Sequence, residues 1–141
     1  MSRISEISED QLWLLIRCIL ALLVSVHGWH RIFDHGVLPF AEYMQQRLPL
    51  GYYLVFVLQL MEIVGTIIFA AGYCVSALSL VFSIIYSCSI YFYHSQFGWF
   101  QSGGSENGAE YAFALIVCFF ACALAFWPNT SLSSSMKWQI G

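Results

Sequence analysis

Charge is the scarcest feature of this chain of 141 residues. Asp, Glu, Lys and Arg together make up 9% of it, and hydrophobic residues 60%. A soluble domain carries about 25% charged residues, because something polar must face the water. A surface this poor in charge calls for another solvent, and lipid is the obvious one. The five Lys and Arg are scattered. They form no basic stripe of the kind a phosphate backbone requires, which excludes a nucleic-acid-binding module. The length leaves no room for a second domain beside the first. No internal repeat is found. The five cysteines, Cys18, Cys74, Cys88, Cys118 and Cys122, show no CxxC spacing and lie in or beside apolar runs. They read as small apolar packing residues. Cys118 and Cys122, four apart and so on one helix face, are the one pair suited to thiol or soft-metal chemistry.

What the chain does have is four long apolar runs, at about 11–31, 51–71, 74–94 and 109–127. About 20 helical residues cross a hydrocarbon core of about 30 Å, so each run is long enough and the fourth only just. The third and fourth runs contain no formal charge between Tyr73 and Tyr93 or between Tyr111 and Trp127. A soluble helix of that length would show a polar face. The first run follows an acidic leader (Glu6, Glu9 and Asp10 against Arg3) and ends in Trp29-His30-Arg31, so it reads as a retained span and not a cleaved signal. Trp13, Trp29, Trp99 and Trp127, with Tyr52, Tyr53, Tyr91 and Tyr93, fall near the run ends, where amphipathic rings prefer to sit. Arg3 and Lys137 stand against Arg31 and Arg47, so the charge asymmetry assigns no orientation.

The fold class expected is therefore all-α, an integral membrane four-helix bundle in a single domain. The connection over residues 32–50 places Phe40, Tyr43, Met44 and Leu48 at helical spacing after Pro39, which predicts a short amphipathic helix lying at the interface. A tight hairpin is expected at Ala71-Gly72. The Gly- and Ser-rich stretch 95–108, around Gly103-Gly104, is expected to be mobile.

Ionisable residues within such spans cost several kcal/mol on insertion scales, so they turn toward a bundle interior and a partner. At about 100° per residue, Arg17, Val24, Gly28 and Arg31 share one line, with Ala21 beside them and His27 on the flank. Glu62 shares its side with Gln59, Gly65, Thr66 and the bulky Phe69. Ser76, Ser79, Ser83, Ser87 and His94 form a third seam, and Glu110, Ala114, Val117, Ala121 and Ala125 a fourth. Four such stripes predict one bundle with a polar interior. Counted from the run ends, Arg17 lies about 9 Å deep and Glu62 about 13 Å from the same membrane face, which predicts an Arg17–Glu62 pair. His27, Arg31, His94 and Glu110 collect near the opposite face, where they could move protons or hold an anionic or quinone-like head group. They could equally form a structural salt-bridge network. His30 and His35 read as interfacial or solvated. Metal binding by His27, His94 and Glu110 has no diagnostic spacing.

These residues carry a resemblance to the DoxX family of small membrane proteins, which takes in DoxD-type subunits of thiosulfate:quinone oxidoreductase. Arg17 opening the first span and His27-Gly28-Trp29-His30-Arg31-Ile32-Phe33 closing it resemble the family's arginine and its His-Gly…Lys-Leu-Phe pattern. Leu60-Met61-Glu62-Ile63-Val64-Gly65 resembles Val-Glu-x-x-Gly-Gly, His94 with Gly98-Trp99-Phe100 resembles His…Gly-Phe-Phe, and Gly108-Ala109-Glu110-Tyr111-Ala112 resembles Gly-Trp-Glu-Tyr. Arg31 replaces the usual lysine, Thr66 replaces the second glycine, and the family's closing Gly-Pro-Gly…Ser-Leu-Asp is reduced to Trp127-Pro128-Asn129-Thr130-Ser131-Leu132. The resemblance implies a four-span membrane protein linked to electron transfer, often working with a second subunit. On that reading a quinone is the ligand, and Glu62, His94 and Glu110 are the titrating groups. Arg17, His27 and Arg31 would bind the head group. No haem, flavin, iron–sulfur or metal motif is recognisable, so electrons would come from a partner or pass by way of the quinone; the partner expected is a second protein subunit or further copies of this chain in a homo-oligomer. The competing expectations are a non-catalytic scaffold or assembly factor that uses the same charges only to fix the bundle and, third, a small-molecule or metal-ion carrier, for which four spans are few and no inverted repeat is seen.

Overall fold

The computed structural model describes residues 8–100 and 108–128. The leader with Arg3 and Glu6, the Gly103-Gly104 stretch, and the tail from Asn129 through Lys137 lie outside the described residues.

The described residues are all helical apart from turns, with no strand among them. Helix α1 runs Glu9–Phe33, α2 Val37–Gln45, and α3 Gly51–Leu60. A π-helical turn at Met61–Gly65 joins α3 to α4, Thr66–Ala70. Helix α5 spans Val75–Phe92 and α6 Glu110–Ala125. Ser8 caps α1 through a reciprocal box with Gln11, and Glu9 and Asp10 in the first turn suit the positive end of its dipole. Three rods are long and apolar enough to cross a membrane: Glu9–Phe33, Gly51–Ala70 and Val75–Gln96. The last helix, at 16 residues, is shorter than the run read from sequence. Large apolar side chains such as Leu22, Phe33, Ile67 and Ile84 face outward at 63–73% exposure.

Helices α5 and α6 pack along their length, and α1 packs on the π turn and on α4. Gly72 closes the hairpin before α5, as the sequence predicts; its φ of +92° strains any residue with a side chain, and a Cβ there would also displace the Arg17 guanidinium, whose Nη1 would lie 2.6 Å from it. The predicted helix after Pro39 is α2; it begins two residues earlier, at Val37, and ends at Gln45, so Leu48 lies in the turn beyond it. Helix α2 packs on α3 and is pinned to the end of α5 by Tyr43. That hydroxyl donates to the Phe92 carbonyl (3.2 Å) and accepts from Gln96 Nε2 (2.7 Å).

The expected polar interior is found only in part. Glu62, Thr66 and Ser79 are buried, but so are Phe69, Phe82 and Phe119, with Phe82 and Phe119 stacked at 4.9 Å, and these rings fill the centre. The fourth stripe also points the other way. Ala114, Val117 and Ala121 are exposed, while Ala112, Leu115, Phe119 and Cys122 are buried. Filling the centre takes the volume of Phe119, and that demand outweighs the close approach small residues allow. Nor do the serines stitch helices together as a seam. Ser83 and Ser87 donate to carbonyls of their own helix, and Ser76 alone reaches across, to the Ala123 carbonyl at 3.1 Å.

Candidate functional site: a polar cluster on a cavity wall

The expected Arg17–Glu62 pair is replaced by Arg31–Glu62. Arg31 Nη1 donates to Glu62 Oε2 at 2.6 Å, with the two side chains 15% and 2% exposed. The reason is register. Gly28 of α1 lies against Glu62, where an added Cβ would come 2.9 Å from the Glu62 Cβ, and Arg17 lies against Gly72. The eleven residues from Arg17 to Gly28 separate the two levels by about 16 Å of helix. Depths counted from the ends of apolar runs assume that neighbouring rods start level. Helix α1 instead projects past the hairpin, so Arg17 sits at hairpin height, its guanidinium 5.4 Å from the Phe126 ring centre.

Around Glu62 the sequence builds a bonded cluster. Gln59, one turn earlier on α3, donates from Nε2 to the Gly28 carbonyl (2.8 Å) and accepts from Arg31 Nη1 (3.2 Å). Arg31 Nη2 lies 3.0 Å from His27 Nε2. The guanidinium also sits 5.0 Å from the centre of the Phe40 ring, which ties α2 to the cluster. Glu62 itself stands in the π turn. Thr66 Oγ1 donates to the carbonyls of Glu62 and Ile63 (3.0 and 2.8 Å), serving backbone acceptors at the widened turn. Single π turns inside α-helices are frequent at functional sites. This one follows Gln59 and carries the only carboxylate of the rod.

The cluster forms part of the wall of a cavity of about 1010 Å³. Of the residues singled out from sequence, His27, Arg31, Glu62 and His94 line it, and so does His30. His30 also pairs with Asp34 at 3.1 Å, with both side chains largely exposed. Glu110 lies in the first turn of α6, where its N–H donates to the Trp99 carbonyl, and does not line the cavity; its neighbours Gly108, Tyr111 and Ala112 do. Arg17 is far from it. The remaining walls are mostly apolar, drawn from α1, α2, α3, α5 and α6. Among the described residues no three His, Cys, Asp or Glu are grouped as metal ligands.

Two wall residues escaped the sequence reading. Phe40 was assigned only to an amphipathic face. Tyr86 sits one position before the serine seam at Ser87, on the buried side of α5 with Phe82 and Ser83. The search for polar and small stripes passed over it because its ring is bulky. The spacing of Ser79, Phe82, Ser83 and Tyr86 is the signal that could have found it.

The DoxX family profile matches residues 12–95, more than half of the chain. The matched stretch holds His27, Arg31, Glu62, Tyr86 and His94; Glu110 and the rest of α6 lie beyond it. No curated protein and no solved structure matches the chain. That match shows that the chain belongs to the DoxX family.

Proposed function

We propose that the chain is a multi-pass protein of the cell inner membrane, crossing it with α1, the α3–α4 rod, α5 and α6. Its cavity would hold the polar head of a quinone for a quinone-linked oxidoreductase, in the manner of thiosulfate:quinone oxidoreductase. The observation that carries this reading is the convergence of Arg31–Glu62, His27 and His94 on the wall of a cavity that is otherwise apolar. Ionisable groups at membrane depth mark ligand or proton pathways. A volume of about 1010 Å³ matches the upper end of the range for small-molecule sites, about 300–1,000 Å³. The 16 residues of α6 give about 24 Å of helix, which local thinning of the bilayer accommodates.

In this role Arg31 and His27 hold the head group, and Glu62 and His94 supply protons. Reduction of a quinone to its quinol takes up two electrons and two protons. The electrons come from a second subunit bound to this one, and the protons cross by the carboxylate and imidazoles of the cavity wall.

One observation favours the second reading, a scaffold or assembly factor. The Arg31–Glu62 pair is closed, and with Gln59 on the Gly28 carbonyl it clamps α1 to the π turn. Extraction separates the two. Protein purified in mild detergent should release quinone into organic solvent in a near-stoichiometric amount, and the Arg31→Met variant should release much less. Wild-type protein that is folded and yields no quinone would leave the scaffold reading standing.

A further inference from the structure

Arg31 dictates the chemical form of its neighbour on the cavity wall. A guanidinium has five N–H donors and no acceptor, and it keeps its proton in proteins. Arg31 Nη2 lies 3.0 Å from Nε2 of His27, one helical turn earlier on α1. At that distance the two are hydrogen-bonded only if Nε2 accepts. A neutral imidazole has one N–H and one acceptor, so the ring proton then sits on Nδ1. An imidazolium, with N–H on both nitrogens, would set donor against donor and cation against cation. Turning the ring over would bring Cε1, which accepts nothing, beside the guanidinium.

The guanidinium is itself held in place. Its Nη1 donates to Glu62 Oε2 at 2.6 Å and to Gln59 Oε1 at 3.2 Å, and its carbon sits 5.0 Å from the centre of the Phe40 ring. Gly28, next to His27 in the chain, lies so close to Glu62 that an added Cβ would come 2.9 Å from the Glu62 Cβ, which fixes the rotation of α1. The His27 ring is exposed, lines the cavity, and makes no hydrogen bond among the described residues except the one to Arg31. Its Nδ1–H is left for whatever fills the cavity. Glu62 is the one carboxylate among the described lining residues, and it is already bonded to Arg31; His30 and His94 are the other imidazoles there.

We infer that His27 is a neutral donor of fixed form: Arg31 holds it as the Nδ1–H tautomer, and that N–H bonds a carbonyl oxygen on the ligand's head. The donor role rests on the quinone reading, whereas the tautomer does not. His27 thereby leaves the proton path, and Glu62, His30 and His94 remain as the wall groups able to change charge. The same geometry bears on the class of ligand. The charge of Arg31 is matched by Glu62, so this corner offers an N–H dipole and not a free cation. That suits the uncharged carbonyl of a quinone better than a carboxylate or a phosphate.

The test places the full chain, with nitrogen-15 in its histidine rings, in lipid nanodiscs and reads the imidazole nitrogens by solid-state NMR, where protonated and bare nitrogens resonate far apart. Loss of signals in His27→Gln identifies those of His27. The expected spectrum has Nδ1 protonated and Nε2 bare, the reverse of the form free histidine favours in water, and adding decylubiquinone should move the Nδ1 signal. A proton on Nε2, or on both nitrogens, overturns the inference outright. Binding tests the donor separately. His27→Asn can place an amide N–H where Nδ1 was, and His27→Gln cannot. Decylubiquinone should therefore bind His27→Gln about three- to tenfold more weakly than His27→Asn, the worth of one hydrogen bond. Equal binding by the two variants, or an Nδ1 signal unmoved while decylubiquinone binds, overturns the donor role and leaves the quinone reading intact. A wild type in the Nδ1–H form that binds no decylubiquinone removes the quinone reading and the donor role together, and only the tautomer stands.

Discussion

Removing one member of the Arg31–Glu62 pair should do more harm than removing both. Glu62 is 2% exposed and Arg31 15%, with 2.6 Å between the bonded atoms. Breaking such a pair from one side strands a charge away from water and typically costs 3–5 kcal/mol. Arg31 keeps Gln59 Oε1 at 3.2 Å and the Phe40 ring, so Glu62→Leu should fall near the lower end, about 3 kcal/mol. Arg31→Met leaves Glu62 without its cation in an apolar wall and should cost at least as much. The double variant strands nothing and should lose about 0–2 kcal/mol, which makes the coupling about 3 kcal/mol or more. The assay is reversible unfolding in mixed micelles titrated with SDS, run on all four members of the cycle. Two single losses that add to within about 0.5 kcal/mol would refute the argument, because independent sites add.

Three further predictions follow from the same geometry. Arg17→Gln and Glu62→Gln should be additive within about 0.5 kcal/mol in that assay, since their levels are about 16 Å apart along α1; a coupling of 1 kcal/mol or more would restore the pairing read from sequence. Gly28→Ala should destabilise by about 1–3 kcal/mol, because the new methyl would lie 2.9 Å from the Glu62 Cβ and neither atom can swing aside. A neutral Gly28→Ala would mean that α1 and the π turn are not in contact. Tyr43→Phe should cost about 1 kcal/mol and loosen α2 from α5, read as faster amide hydrogen exchange in α2, because it removes the bonds to the Phe92 carbonyl and from Gln96.

Much of this architecture is legible in the residues. The rods and the hairpin glycine follow from hydropathy and from Gly72, and Pro39 with the spacing of Phe40, Tyr43 and Met44 marks α2. The buried sides of the first two rods follow from helical phase: Arg17, Ala21, Val24 and Gly28 on one, Gln59, Glu62, Gly65, Thr66 and Phe69 on the other. What phase does not carry is register and volume. Which arginine meets Glu62 depends on how far α1 slides along its neighbour, and that is set by contacts such as Gly28 on Glu62 and Arg17 on Gly72. Which side of α6 faces inward depends on filling the space beside Phe69 and Phe82. Phe119 fills it, and the alanines that suggested the opposite side are left facing out. The π turn has no signature in the sequence of residues 61–65, and with it the exact aim of Glu62 was hidden. His27, Arg31 and His94, which lie near corresponding ends of their runs, line one cavity, whereas Glu110, placed with them by the same count, is not among its lining residues.

The central claim is that the ionisable groups at one end of the bundle, and not Arg17 at the other, face a bound quinone. Photolabelling of the protein in nanodiscs with an azido-quinone, followed by peptide mapping, tests it directly. Label that maps to the peptides carrying His27–Arg31, Tyr86 or His94, and that excess decylubiquinone displaces, is the predicted result. Displaceable label around Arg17 and Gly72, or label that no excess of competitor removes, would contradict it.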